Sequence, residues 1–235
     1  MFLEQFFEQN DEQIVFKRAH GCSFAKQVAN DFNPLHDHDA KRFVVPGDLL
    51  FAIVLKRCGI HQNMRFTFSG MVSDDTPLNF PTQLESESFV TDVNDKEYVG
   101  INCSGNSIKD DALTHDLIQA YVAFSGQTFP GMLVELMEEN NVMINPARPM
   151  VMYENMSLTL DTFDIKGLRL ETASTNLSVD GKRGKAILAF NIVDDAGNIV
   201  GHGEKNMLLS GLKPYCSDAI SDIIELYNDR KQTYA

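Results

Sequence analysis

Residues 31–58 read DFNPLHDHDAKRFVVPGDLLFAIVLKRC, and two signals of different kind lie in them. The first is a compact polar run, Asp31-Phe32-Asn33-Pro34-Leu35-His36. The second is Pro46-Gly47-Asp48 followed by an unbroken apolar stretch from Leu49 to Leu55, closed by Lys56, Arg57 and Gly59. Proline and glycine at the start, basic residues in the last turn and glycine just past the end are the marks of a helix. An apolar run with no polar face predicts a helix wrapped on all sides. The stretch is too short to span a bilayer. A sheet is the expected wrapping.

Upstream of this stretch, Phe24, Val28 and Phe32 recur every four residues, which predicts a helix ending near Asn30. It cannot run far into the polar run, because the residue before Pro34 is pushed out of the α region. Asp31 therefore lies at a helix exit and His36 beyond a forced change of direction. A chain doubling back there can bring the two side chains onto one spot. Further back, Phe2, Leu3, Phe6 and Phe7 have helical spacing, and Ile14 to Phe16 reads as a short strand.

Downstream, Met64, Phe66 and Phe68 alternate with polar residues, and residues 84–93 and 98–103 make two more strand candidates. Ile118, Ala120, Val122 and Phe124 alternate as a fourth. The pattern then restarts. Pro130-Gly131 opens a second mostly apolar helix, Met132 to Met137, and four strands are expected near 150–161, 167–179, 185–194 and 198–210. Asp180-Gly181 and Ala196-Gly197-Asn198 are the expected turns between them. The chain thus divides into a first repeat over 1–126, a second over 127–212 and a terminal helix over 213–235. Ser217 caps that last helix, and Ile220, Ile223, Ile224 and Tyr227 share one of its faces. No low-complexity linker separates the halves. The two Pro-Gly helices are expected side by side against one continuous curved sheet.

A chain of 235 residues with 43% hydrophobic content can bury one large core or two modest ones. The formal charge of −13 argues against nucleic acid, which selects basic surfaces. Cys22, Cys58, Cys103 and Cys216 are scattered, which fits a reduced cytoplasmic compartment, with Cys58 and Cys103 as small apolar fillers. The opening MFLEQFFEQNDE is acidic where a secretory signal is basic. The expectation is a cytoplasmic protein with no nucleic-acid or membrane partner.

The residues Asp31-x-Asn33-Pro34-Leu35-His36, followed by Pro46-Gly47 and an apolar run, resemble the motif of MaoC-like, (R)-specific enoyl-CoA hydratases and dehydratases. The motif likeness covers roughly residues 20–72 and the fold likeness extends more weakly over the whole chain. What the resemblance implies is an α+β double hotdog, in which an antiparallel sheet wraps a central helix twice. It implies an acyl thioester of coenzyme A or acyl carrier protein as ligand, and no metal or organic cofactor. Asp31 and His36 would hold and polarise a water, Asn33 would fix the loop, and the Gly47 N–H would serve the thioester oxygen. Pro34, Pro46, Leu49 and Leu50 would line the substrate, and Lys41 and Arg42 would meet coenzyme A phosphates. A pseudo-dimer within one chain is compatible with a monomer or a homodimer.

The departures from the family pattern are specific. Asn30 stands where the family has glycine, and the second half, QTFPGMLVEL, carries no copy of the motif. Asp48 follows Gly47, where an inward carboxylate would oppose a developing enolate; an outward one complements the helix dipole, and that orientation is expected. Plainer readings of the same residues remain. Asp31 and His36 make a structural pair on one of them. His36-Asp37-His38-Asp39 is either a metal-binding run or a solvated loop. Thioester hydrolysis and non-catalytic acyl-CoA binding are the rival functions on the same fold.

Overall fold

The computed structural model describes residues 2–234. A hairpin of β1 (Glu8–Asn10) and β2 (Gln13–Val15) leads through α1 (Arg18–Gln27) and the motif loop to α2 (Gly47–Cys58). Next come β3 (Ile60–Phe68), β4 (Leu78–Asn79), β5 (Glu87–Asp92), β6 (Glu97–Ile108) and α3 (Asp111–Gly126). A kinked turn through Thr128–Met132 joins α3 to α4 (Leu133–Glu139). The rest is β7 (Val142–Met143), β8 (Val151–Leu160), β9 (Arg169–Asp180), β10 (Arg183–Val193), β11 (Ile199–Ser210), β12 (Lys213–Pro214) and α5 (Ser217–Tyr234).

Ten strands form one antiparallel sheet in the order β1-β2-β4-β5-β6-β3-β8-β11-β10-β9, and β12 pairs with β7 apart from it. The seam between the halves is β3 against β8, in register from Asn63↔Thr159 to Thr67↔Asn155. Inside the sheet, α2 and α3 pack on each other through Phe51 and Tyr121, with ring centroids 4.8 Å apart. Phe51 also meets Phe66 of β3 at 5.0 Å, while Tyr121 and Phe124 meet Phe190 of β10 at 5.9 and 5.1 Å. Two central helices wrapped by one antiparallel sheet make this an α+β double hotdog.

The apolar run of α2 is buried along its whole length, from Leu49 to Leu55. An isolated helix of this size is marginal in water. Burying its six large side chains supplies roughly 10–18 kcal/mol of gross hydrophobic stabilisation, so the sheet holds the helix. Among the described residues, no helix is long and apolar enough to cross a membrane.

The second central helix is not the one expected. Ile118, Ala120, Val122 and Phe124 lie in α3, not in a strand. Because α3 is enclosed by α2 and the sheet, its buried set includes Leu113, Leu117, Ile118, Tyr121, Val122 and Phe124. So broad an apolar surface satisfies a two-residue period as well as a helical one. The Asp110 carboxylate, accepting from the Leu113 N–H at 2.8 Å, fixes where the helix starts. The Pro130-Gly131 segment is instead a turn into the short α4, which buries only Leu133, Leu136 and Met137. The four strands of the second half fall where expected, as β8 to β11.

Candidate functional site

The motif loop begins at the end of α1. Asn30 has φ +51, in the left-handed region, where asparagine is the best-tolerated residue after glycine. This accounts for asparagine at a position where the resembling family has glycine. The turn lets the Asp31 N–H reach back to the Ala25 carbonyl at 2.8 Å. Close by, the end of α3 passes the turn after α1 so tightly that a Cβ on Gly126 would overlap the Ala29 carbonyl oxygen. Only glycine fits there.

Two side chains then wind the loop on itself. Asp31 Oδ1 accepts from the Asn33 N–H at 2.9 Å, and Asn33 Oδ1 accepts from the Leu35 N–H at 3.1 Å. Pro34 starts a single 3-10 turn that ends at His36. Asn33 thus ties the start of the turn to Leu35. His36 Nδ1 lies 2.7 Å from the Val44 carbonyl oxygen. A carbonyl can only accept, so Nδ1 carries the proton and donates, and in the neutral ring Nε2 is left as an acceptor. That nitrogen faces Asp31 Oδ2 at 3.8 Å, with side-chain exposures of 14% for His36 and 28% for Asp31. The gap is too long for a direct hydrogen bond.

Val44 is three residues ahead of Gly47, so the same bond ties His36 to the amino end of α2. Among the described residues, no acceptor takes the N–H of Gly47 or Asp48. The Cα of Gly47 is covered by Phe68 and Tyr153, where a Cβ would meet ring carbons at 3.1 and 3.2 Å. These two rings lie against each other, with centroids 4.3 Å apart.

Asp48 corrects an expectation, because its carboxylate points inward. Ser125 Oγ, on α3, donates to Asp48 Oδ2 at 2.5 Å and accepts from Lys205 Nζ, on β11, at 2.5 Å. The outward orientation fails because Lys205, buried and 4.5 Å from the centroid of the Tyr153 ring, needs an anionic neighbour. Burial pushes the Asp48 pKa up, against the pull of Lys205 and the Ser125 bond; the Asp31 charge adds to the rise. Burial pushes the Lys205 pKa down, against the pull of Asp48 and Asp31. Among the described residues, Asp48 Oδ1 has no hydrogen-bond partner, and it is sealed from solvent. The Tyr153 hydroxyl meets that of Tyr121, and burial raises both phenols well above their ordinary value.

The other expected site residues scatter. Pro34, Lys41 and Arg42 are exposed, while Pro46, Leu49 and Leu50 are buried in the core around α2. Asp37 is turned inward and bonded to Lys26 at 2.8 Å and to Arg230, whereas His38 and Asp39 are exposed. Among the described residues, no cluster of three or more His, Cys, Asp or Glu side chains is placed to hold a metal. Two hollows lie elsewhere. One of about 80 Å³ is lined by Leu3, Ile14 and Ile53, and one of about 400 Å³ by Cys58, His61, Gln83 and Lys109 at the carboxyl end of α2.

A family model described as a protein of unknown function, DUF3581, matches residues 1–218. The chain belongs to the DUF3581 family. No curated protein matches it. Among solved structures, a tesB protein of Mycobacterium avium subsp. paratuberculosis is 12% identical, with 88% of this chain and 96% of that one covered and a TM-score of 0.48. An acyl-CoA thioesterase II, TesB2, from Mycobacterium marinum is 12% identical over 92% and 99% of the two chains, with a TM-score of 0.43. An N-terminal dehydratase from the difficidin assembly line is 12% identical over 81% and 91%, with a TM-score of 0.36.

In this DUF3581 chain no sequence motif marks the inner group of Ser125, Lys205, Tyr121 and Tyr153. One signal was there for Lys205. It lies in phase with Met207 and Leu209 on β11 and pairs with Met156 and Leu188, all of them core residues. A lysine on the apolar face of a strand calls for a buried partner.

Proposed function

We propose that this chain adds water to, or removes it from, the bond next to the carbonyl of an acyl thioester held at the amino end of α2. The observation that carries this reading is the 3.8 Å gap between His36 Nε2 and Asp31 Oδ2, two acceptors facing one another. A water donating one hydrogen to each satisfies both. Its oxygen lone pairs are then free to attack.

In the hydration direction the water oxygen bonds to the β carbon, and the π electrons move toward the α carbon and the thioester oxygen. One water proton passes to His36 Nε2, and the imidazolium so formed is stabilised by the Asp31 carboxylate. That proton is delivered to the α carbon, so the net change is addition of H and OH. The thioester oxygen is served by the free N–H of Gly47, where the helix dipole favours negative charge. Asp48 does not oppose this charge as a lone anion would, because Lys205 and Ser125 offset it. The carrier is coenzyme A or acyl carrier protein, and the compartment proposed is the cytoplasm.

The test is turnover of crotonyl-CoA and longer enoyl-CoAs, followed as loss of the conjugated thioester absorbance. Asp31→Asn and His36→Ala are each expected to lower kcat by about 100-fold or more, with the double variant little worse. Wild-type protein inactive on every enoyl- and 3-hydroxyacyl-thioester overturns the reading. One observation favours thioester hydrolysis as a second reading. The unpartnered, buried Asp48 Oδ1 beside the amino end of α2 is a place for a hydrolytic water. Free thiol measured in the same assay separates the two.

A further inference from the structure

Helix α5 grips the motif loop at both ends. The Tyr227 hydroxyl donates to the Asn30 carbonyl at 3.2 Å and accepts from the Phe32 N–H at 3.3 Å, bracketing Asp31. Its ring meets those of Phe32 and Phe129 edge-on, with centroids at 5.8 and 5.6 Å. One turn further along α5, Arg230 reaches the carboxylate of Asp37, the residue after His36. Asp37 is 1% exposed and also takes Lys26 at 2.8 Å.

The chemistry of this grip is a poor way to gain stability alone. A buried carboxylate between two cations roughly offsets its own desolvation cost, and apolar packing of the same volume stabilises at least as well. What charge and hydroxyl contacts do supply is direction. One phenol fixes the backbone on either side of Asp31, and one guanidinium fixes the residue that follows His36. Tyr227 acts on the flanks of Asp31 and Arg230 on the residue beside His36, so a change at either contact moves one member of the dyad against the other.

We propose that α5 is a brace for the reacting loop, with Tyr227 and Arg230 as positioning residues that set the gap between Asp31 Oδ2 and His36 Nε2. This rests on the reading of that gap as the water site. A water held by two acceptors is sensitive to their separation, and a change of a few tenths of an ångström breaks one of its bonds. The hydroxyl and the guanidinium act through the loop and touch no reacting atom.

The experiment uses the full chain with Tyr227→Phe, Arg230→Met, Arg230→Lys and the Tyr227→Phe/Arg230→Met double variant. Two readouts are taken beside the melting temperature. The first is kcat and KM on an enoyl-CoA. The double variant is expected to lose tenfold or more in kcat with KM within twofold, and Arg230→Lys to keep most of the wild-type kcat. The second needs no turnover. The ring-nitrogen NMR signals of His36, assigned against His36→Asn, are expected to report one tautomer in the wild type. In the double variant the Nε2 signal is expected to shift and broaden as its gap to Asp31 Oδ2 changes, with Nδ1 still held by Val44. A folded double variant with unchanged kcat and unchanged His36 signals overturns the brace. If the wild type has no turnover, the functional reading fails and the His36 signals alone decide the brace. If the double variant does not fold, Tyr227→Phe, which removes a single oxygen atom, carries the same two readouts.

Discussion

His36 Nδ1 stands 2.7 Å from the carbonyl oxygen of Val44, and this bond decides which ring nitrogen faces Asp31. An asparagine at position 36 can place its amide N–H near Nδ1 but has nothing in place of Nε2. His36→Asn is therefore expected to keep stability within about 0.5 kcal/mol of the wild type, while His36→Ala loses about 1 kcal/mol. Both variants are expected to be inactive. Urea titrations beside the crotonyl-CoA assay check this, and equal stability losses in the two variants would contradict the fixed tautomer.

The inner charges depend on each other across Ser125. Lys205→Met is expected to cost roughly 3–5 kcal/mol, because it leaves a carboxylate without its cation. Adding Asp48→Asn to it should recover a good part of that loss. Burial already raises the Asp48 pKa, and removing Lys205 takes away the largest opposing pull. A raised carboxyl pKa gives stability that is present below its unfolded value and lost as pH rises through the folded one. The Lys205→Met deficit should thus shrink in acid and grow toward neutral pH. Urea midpoints measured across that range give the answer, and a deficit that does not change with pH would break the link to Asp48.

Where the end of α3 meets the turn after α1, no side-chain rotation can relieve a methyl group added to Gly126, since its neighbour is the Ala29 carbonyl. The backbones themselves must part. Gly126→Ala is expected to cost about 3 kcal/mol or more, at or above the upper end of ordinary overpacking. Thermal unfolding checks it. A loss below about 1 kcal/mol would mean the end of α3 and the turn after α1 do not approach this closely.

Asn30 offers a milder test of backbone strain. Asn30→Gly should be neutral to slightly stabilising, since glycine adopts φ +51 without cost. Asn30→Val should lose about 1–2 kcal/mol, as a β-branched side chain resists the left-handed region. Equal melting temperatures for the two variants would argue against a left-handed turn at the helix exit.

Reading the sequence worked where one element carries one pattern. The α2 run has end signals on both sides and no polar residue within it, and β10 alternates between two clear turns. The sequence misleads at α3, where Ile118, Ala120, Val122 and Phe124 also fit a two-residue period beside the helical set Leu113, Leu117, Ile118, Tyr121 and Val122. It misleads again at Pro130-Gly131, where the same dipeptide that opens α2 leads into the short α4 and not into the second central helix. In the site, Asp31, Asn33 and His36 were legible because they are close along the chain and a proline forces the bend between them. Ser125 and Lys205 were not legible as a pair. They lie 80 residues apart in sequence, and only the packing of α3 against β11 brings them together.

The seam between β3 and β8 also sets an order of events in synthesis. Residue 63 waits for residue 159 as its partner in the sheet, so β3 has no neighbour on that side until nearly two-thirds of the chain has been made. At ordinary rates of translation the wait is roughly 5–20 s. During it, a bare strand edge is open to any other nascent chain. A ribosome paused between β6 and β8 would hold this protein at its most vulnerable length, and chaperone demand should peak there and not at either end.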